Sequence, residues 1–204
     1  MVMRLSQNDE RRVEQAIAAL ERRTAAELAV VVARRSHDYA AHPFLWAALV
    51  AFAAGIAAAL AWPILTGGDV VLVEGVAFAL VYMALHFTTL GVALVPRRLR
   101  ERYVHRAARA EFATLVAQQT ESLNGMLLYV SVAERMVVVL VDRAIKARVP
   151  AETWSGIVER FRASNASLVE RLLPAIEGCA AALEPHFPPV PGQKDEIPNK
   201  VERR

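Results

Sequence analysis

The sequence predicts an α/β chain in which a small three-layer α/β/α domain is interrupted by a two-helix transmembrane hairpin. Three observations predict it. Between Pro43 and Val95 the only formal charges are Asp69 and Glu74, both near the turn-forming Thr66-Gly67-Gly68, so the region reads as two apolar runs. Outside it, three short aliphatic segments, Glu27–Ala33, Met126–Val132 and Met136–Val141, have the density of buried strands. Apolar residues at helical spacing precede and follow those segments, and strands with two buried faces need helices on both sides.

Residues 1–42 form the first half of the domain. Val13, Ile17 and Leu20 mark one face of a helix that Ser6 or Asn8 caps. The nearly continuous run Glu27–Ala33 follows as a strand covered on both faces.

Residues 43–96 form the hairpin, with spans at about 44–65 and 76–95. Each run is about 20 residues, enough at roughly 1.5 Å per residue to cross a hydrocarbon core of about 30 Å. Trp46 and Trp62 fall near the two ends of the first span, where interfacial anchors sit. Arg34 and Arg35 precede the hairpin while Arg97, Arg98, Arg100 and Arg102 follow it, so both termini are expected in the cytoplasm. Ala47, Ala51, Gly55 and Ala59 recur every fourth residue, a small-residue stripe against which the second span packs; a homodimer face is the competing use. His86 falls deep in the second span, and Thr88 and Thr89 are its polar neighbours.

Residues 97–187 supply the second half. A helix from about Pro96 to Gln119 leads to Asn124-Gly125, then to two strands joined by Ala133-Glu134-Arg135 and therefore antiparallel. Because so little chain separates them, Glu134 and Arg135 are expected to be the solvated tip of that turn. A helix using Trp154, Ile157, Val158 and Phe161 precedes a last one using Leu168, Leu172, Ile176, Ala180 and Leu183, with Pro174 expected to kink or restart it. Residues 188–204, rich in proline, are expected to form an extended or disordered tail. The hairpin thus lies in the crossover between the first and second strands, which should be parallel neighbours or near neighbours.

Composition narrows the chemistry. Over 204 residues the chain is 55% hydrophobic and still 22% charged, so its apolar residues must be concentrated. Cys179 is the only cysteine, which excludes an intramolecular disulfide and a cysteine-based metal site and fits a reducing compartment. Met1 to Glu21 lacks the apolar core of a signal peptide. Glycine-rich phosphate loops, zinc-ligand spacings and a Gly-x-Ser-x-Gly elbow do not occur. His37 and His42 bracket Asp38 at a spacing that puts them on different helix faces. Arg97, Arg98, Arg100 and Arg102 directly follow a span, so anionic lipid headgroups, not nucleic acid, are their expected partner. Glu27, Glu134 and Asp142 are the acids at strand ends or turns, and a hard cation such as calcium would need them clustered.

The run Asn124-Gly125-Met126-Leu127-Leu128-Tyr129-Val130-Ser131-Val132-Ala133-Glu134-Arg135-Met136-Val137-Val138-Val139, followed by Asp142-Arg143-Ala144-Ile145, resembles the TPM domain family. Leu20 to Val32 is similar to that family's opening helix and strand, and His186-Phe187-Pro188 with Asp195–Asn199 to the tail of a bacterial membrane-bound branch. The resemblance covers about two thirds of the chain and omits the hairpin. It implies a compact α/β/α fold tethered to a bacterial-type inner membrane. The roles it brings are photosystem repair, receptor modulation and, in some members, calcium binding and acid phosphatase activity. Ala144 stands where a glycine is common in the family and Ala25 where Thr-Gly is common. The expectation is a non-enzymatic interaction or assembly module at the cytoplasmic face, with no cofactor and with another membrane protein as partner. The alternative is a metal-dependent, calcium-linked acid phosphatase of the same fold.

Overall fold

A computed structural model describes residues 6–39, 41–88, 90–117, 123–190, 197 and 200–204. In chain order the elements are α1 (Gln7–Arg23), β1 (Glu27–Ala33), α2 (Ala41–Ala61), α3 (Gly67–Phe87), α4 (Leu90–Ala93), α5 (Arg97–Leu115), β2 (Gly125–Ser131), β3 (Met136–Val141), α6 (Arg143–Arg148), α7 (Ala151–Ala163), α8 (Leu168–Leu183) and β4 (Val201–Arg203). They divide into two compact units, Met1–Ser36 with Glu101–Arg204, and His37–Arg100.

In the first unit α1 starts at Ser6, whose hydroxyl accepts from the Asp9 N–H while the Asp9 carboxylate accepts from the Ser6 N–H, both at 3.1 Å. This reciprocal cap satisfies two backbone donors and places Val13, Ile17 and Leu20 on the buried face. The sheet runs β3-β2-β1-β4. β1 and β2 are parallel in register from Glu27 opposite Gly125 to Ala33 opposite Ser131, and β2 and β3 are antiparallel. Every residue of β1 and β2 is buried, as continuous aliphatic runs require.

Successive side chains of a strand point to opposite faces, and the core divides accordingly. Leu28, Val30, Val32, Met126, Leu128 and Val130 join one cluster with α1, α7 and α8. Ala29, Val31, Ala33, Leu127 and Tyr129 join another with Val104 and Ala108 of α5. Arg23 fastens α1 to α8 through Glu177 and Glu184, the latter holding the guanidinium pKa above its ordinary range.

Two open alternatives narrow in this unit. The tail ends in order, because Val201–Arg203 pairs in parallel with β1 and the Arg34 N–H donates to the Arg204 carbonyl at 2.7 Å. An edge of β1 would otherwise leave its backbone groups unpaired. Pro191 and Pro198 lie outside the described residues. Pro174 does not restart a helix: α8 runs unbroken through it from a capping box at Ser167 and Glu170. Missing one N–H in a helix already capped and packed along its buried face is tolerated there. Of the predicted helix to Gln119, α5 extends to Leu115, and Gln118 and Gln119 lie outside the described residues.

The second unit holds α2 and α3, both 21 residues and long and apolar enough to cross a membrane. The second helix begins nine residues earlier than the pattern predicts. Thr66 and Asp69 form a capping box, the Thr66 N–H donating to the carboxylate at 2.8 Å, so Gly67 and Gly68 are the first helical turn and not a loop. Asp69 and Glu74 consequently lie within α3, and His86 sits in its last turn, stacked on Tyr82 at 5.3 Å, not deep in a span.

The small-residue stripe is also redrawn. The buried residues of α2 are Pro43, Ala47, Ala51, Gly55 and Ala58, while Ala59 is exposed. Four residues advance 400°, so three such steps carry Ala59 about 120° around from Ala47, whereas eleven residues bring Ala58 back within about 20° of it. A bulky side chain at 58 therefore meets α3 and one at 59 does not. Ala58→Leu should destabilise the hairpin by about 1–3 kcal/mol, and Ala59→Leu should leave it nearly unchanged, as read from unfolding of the detergent-solubilised chain in sodium dodecyl sulfate.

Candidate functional site

Buried polar groups in the first unit collect at the two ends of the sheet, because the strand residues between them, Tyr129 aside, are apolar. At the end where β1 finishes, Leu127, Tyr129 and Ser131 share one face by strand alternation. Ser36 reaches this face just past β1. Its hydroxyl lies 2.7 Å from the Ser131 Oγ, to which it donates, and 3.1 Å from the Tyr129 hydroxyl. Glu134 closes the network: one carboxylate oxygen accepts from the Ser131 hydroxyl and the other from the Ser36 N–H at 3.1 Å. Burial pushes the Tyr129 phenol upward, partly offset by its bond to Ser36.

Glu134 is therefore not a solvated turn tip, since it is only 2% exposed. The reason lies in the turn. Arg135 takes φ 53° and is exposed, and its N–H closes the turn onto the Val132 carbonyl, which leaves Glu134 folded back towards Ser131. Sequence reasoning missed Ser36, Ser131 and Tyr129. The available signal was a serine and a tyrosine in phase on the inner face of an otherwise aliphatic strand, with an acid three residues further on.

At the opposite end Glu27 opens β1, Asn124 directly precedes β2 and Asp142 directly follows β3. Glu27 pairs with Gly125, and the Asp142 N–H donates to the Gly125 carbonyl at 2.9 Å. Glu27 is buried and accepts from the Ile197 N–H at 3.3 Å. Asp142 caps α6, one oxygen accepting from the Arg143 N–H at 2.7 Å, and the Asn124 amide donates to the Ala25 carbonyl. Two oxygens are left over: among the described residues Asn124 Oδ1 and Asp142 Oδ2 are buried without a hydrogen-bond partner.

The expected trio of acids is thus divided. Glu27 and Asp142 share one end of the sheet, and Glu134 stands at the other, about 20 Å away at about 3.3 Å per strand residue. Parallel pairing of β1 with β2 imposes this, since both strands start at the same end and the turn bearing Glu134 must lie at the other. Among the described residues no three His, Cys, Asp or Glu side chains form a metal-ligand group.

In the second unit the rings of His37 and His42 both meet Tyr39 edge-on, at 5.4 and 6.3 Å. Arg97 and Arg98 are exposed and Arg100 is half-buried, its Nε without a hydrogen-bond partner. Arg102, exposed, continues the same helix in the first unit.

No family model and no curated protein matches the chain. The chain is similar in structure to the BA42 protein of the psychrophilic bacterium Bizionia argentinensis, solved by NMR, with a TM-score of 0.61 and 18% identity over 98% of this chain and 95% of that one. At that identity the likeness is one of fold.

Replacing Glu134 by alanine strands the Ser36 N–H and the Ser131 hydroxyl in a buried site. The expected loss is about 1–3 kcal/mol, seen in calorimetry as a midpoint lowered by several degrees. An unchanged midpoint would mean that the network contributes nothing to the fold.

Proposed function

We propose that the chain is a membrane-anchored, non-enzymatic interaction or assembly module, a three-layer α/β/α domain of the TPM type held at the cytoplasmic face by the α2–α3 hairpin. The observation that carries this reading is α3: 21 residues, apolar, with none of its residues buried within the protein. One face of α3 leans on α2, and the other leaves Val71, Leu72, Val76, Leu80 and Met83 exposed, an apolar surface of a length that fits a bilayer. The exposed Trp46 and Trp62 suit the interfaces, and Arg97, Arg98, Arg100 and Arg102 suit anionic headgroups on the cytoplasmic side. The two core clusters, fed by alternate strand residues, support three layers. The partner on this reading is another membrane protein.

A calcium-linked phosphatase is the second reading, favoured by the two unpartnered oxygens of Asn124 and Asp142 at the sheet end where Glu27 also lies. Calcium takes six to eight oxygens, so these three side chains supply only part of a shell. Glu134, at the other end of the sheet, does not join them.

Labelling and capture test the proposal. In intact cells an impermeant thiol reagent should modify Gly67→Cys and not Ala113→Cys; the native Cys179 stays silent because burial pushes its thiol up to about 12. Crosslinked affinity capture from detergent extract should recover a membrane protein in stoichiometric amount, and recovery of lipid alone would sink the reading. Asp142→Asn separates the two readings, because asparagine caps a helix about as well as aspartate. The module reading expects unchanged stability and no calcium-induced thermal shift. Metal-dependent phosphate-ester hydrolysis that disappears in Asp142→Asn would establish the phosphatase instead.

A further inference from the structure

Within the hairpin one charged group has no counterpart. Asp69 is held by the Thr66 hydroxyl and N–H at 2.7 and 2.8 Å, but Glu74 makes no hydrogen bond or ion pair among the described residues. It sits seven residues into α3, about 10 Å from the helix start at about 1.5 Å per residue. Gly55 sits six residues before the end of α2, about 9 Å from the same end of the hairpin. At that shared depth the two residues fit together: a Cβ built on Gly55 would overlap the Glu74 carboxylate and its Cγ. The glycine leaves the notch that admits the acid, and Glu74 is half-buried there.

A carboxylate at this depth in hydrocarbon costs several kcal/mol unless it is neutralised or paired. The hairpin contains no lysine or arginine between Pro43 and Val95, so a second copy of this chain cannot supply a cation at that level either. We infer that the Glu74 carboxylate, seated against Gly55, is the intramembrane docking point for a transmembrane helix of a different protein that carries a lysine or arginine about 10 Å from the hairpin-turn side. This inference rests on the membrane-module reading and gives that partner its chemistry. Phe52, Ile56 and Val71, exposed on the same two helices, provide the apolar surface flanking the charge.

The test uses the full-length chain in phosphatidylcholine vesicles, with a fluorescent donor on Gly67→Cys, where a side chain meets open space. The probe is a synthetic 21-residue leucine–alanine transmembrane helix with one lysine at the matching depth and an acceptor dye. Energy transfer should show at least tenfold tighter association with the lysine helix than with an all-apolar helix. Glu74→Gln should remove that preference, while Glu74→Asp and Asp69→Asn should retain it. Equal association of both helices with the natural sequence, a preference that survives Glu74→Gln, or self-association of the chain that depends on Glu74 and excludes the lysine helix would each overturn the inference. The probe reports on Glu74 alone, so its failure leaves recruitment through the first unit standing, and failure of capture leaves the Glu74 result interpretable.

Discussion

Parallel pairing of β1 with β2 is the constraint from which the rest follows. In register from Glu27 opposite Gly125 to Ala33 opposite Ser131, the two strands begin at one end of the sheet and finish at the other. A chain that leaves past Ala33 must therefore travel back before it can enter at Gly125. Soluble α/β folds make that return with a crossover helix, and α5 fills this place, its Val104 and Ala108 packed with the odd-numbered residues of β1. The α2–α3 hairpin is inserted ahead of α5. A hairpin is the insertion that such a crossover tolerates, because two antiparallel helices return the chain to the side it left.

The same pairing sorts the polar chemistry. Because β1 and β2 carry aliphatic side chains on both faces, acids and amides survive only at the strand ends, where they differ in kind. At the Ala33 end Glu134, Ser131, Ser36 and Tyr129 satisfy one another and tie the departure of the chain towards α2 to the β2–β3 turn. A closed network of this sort fixes geometry. At the Gly125 end Glu27 and Asp142 are partly engaged in backbone hydrogen bonds, and two oxygens remain unpartnered. An end with spare acceptors is chemically more open than one whose groups are used.

The hairpin repeats this logic in an apolar setting. Capping Thr66 with Asp69 moves the start of α3 forward, and that shift decides what the other ionisable groups are. Glu74 becomes a group inside the helix and not beside a loop, while His86 moves from mid-helix to the last turn. A few residues of helix register thus exchange the roles of an acid and a histidine.

Local chemistry made much of this legible in the residues alone. The buried strands, their parallel and antiparallel order, the helix faces at Val13, Ile17 and Leu20, and the two long apolar helices all follow from periodicity, which depends on near neighbours in the chain. Other features needed the fold. The Thr66–Asp69 cap was present in the sequence, but Gly67-Gly68 gave an equally strong turn signal, and only the folded helix chose between them. Spacing of four placed Ala59 on the stripe, whereas the 3.6-residue turn placed Ala58 there. Val201–Arg203 has no strand signature of its own and becomes a strand because β1 has an edge to pair. Glu134 had the ordinary look of an exposed turn residue, and its burial depends on Ser36, 98 positions away in the chain. Contacts of that range leave no periodic trace in a sequence. The sequence by itself determined which segments must be buried or lipid-like, and tertiary structure alone decided which polar groups those segments brought face to face.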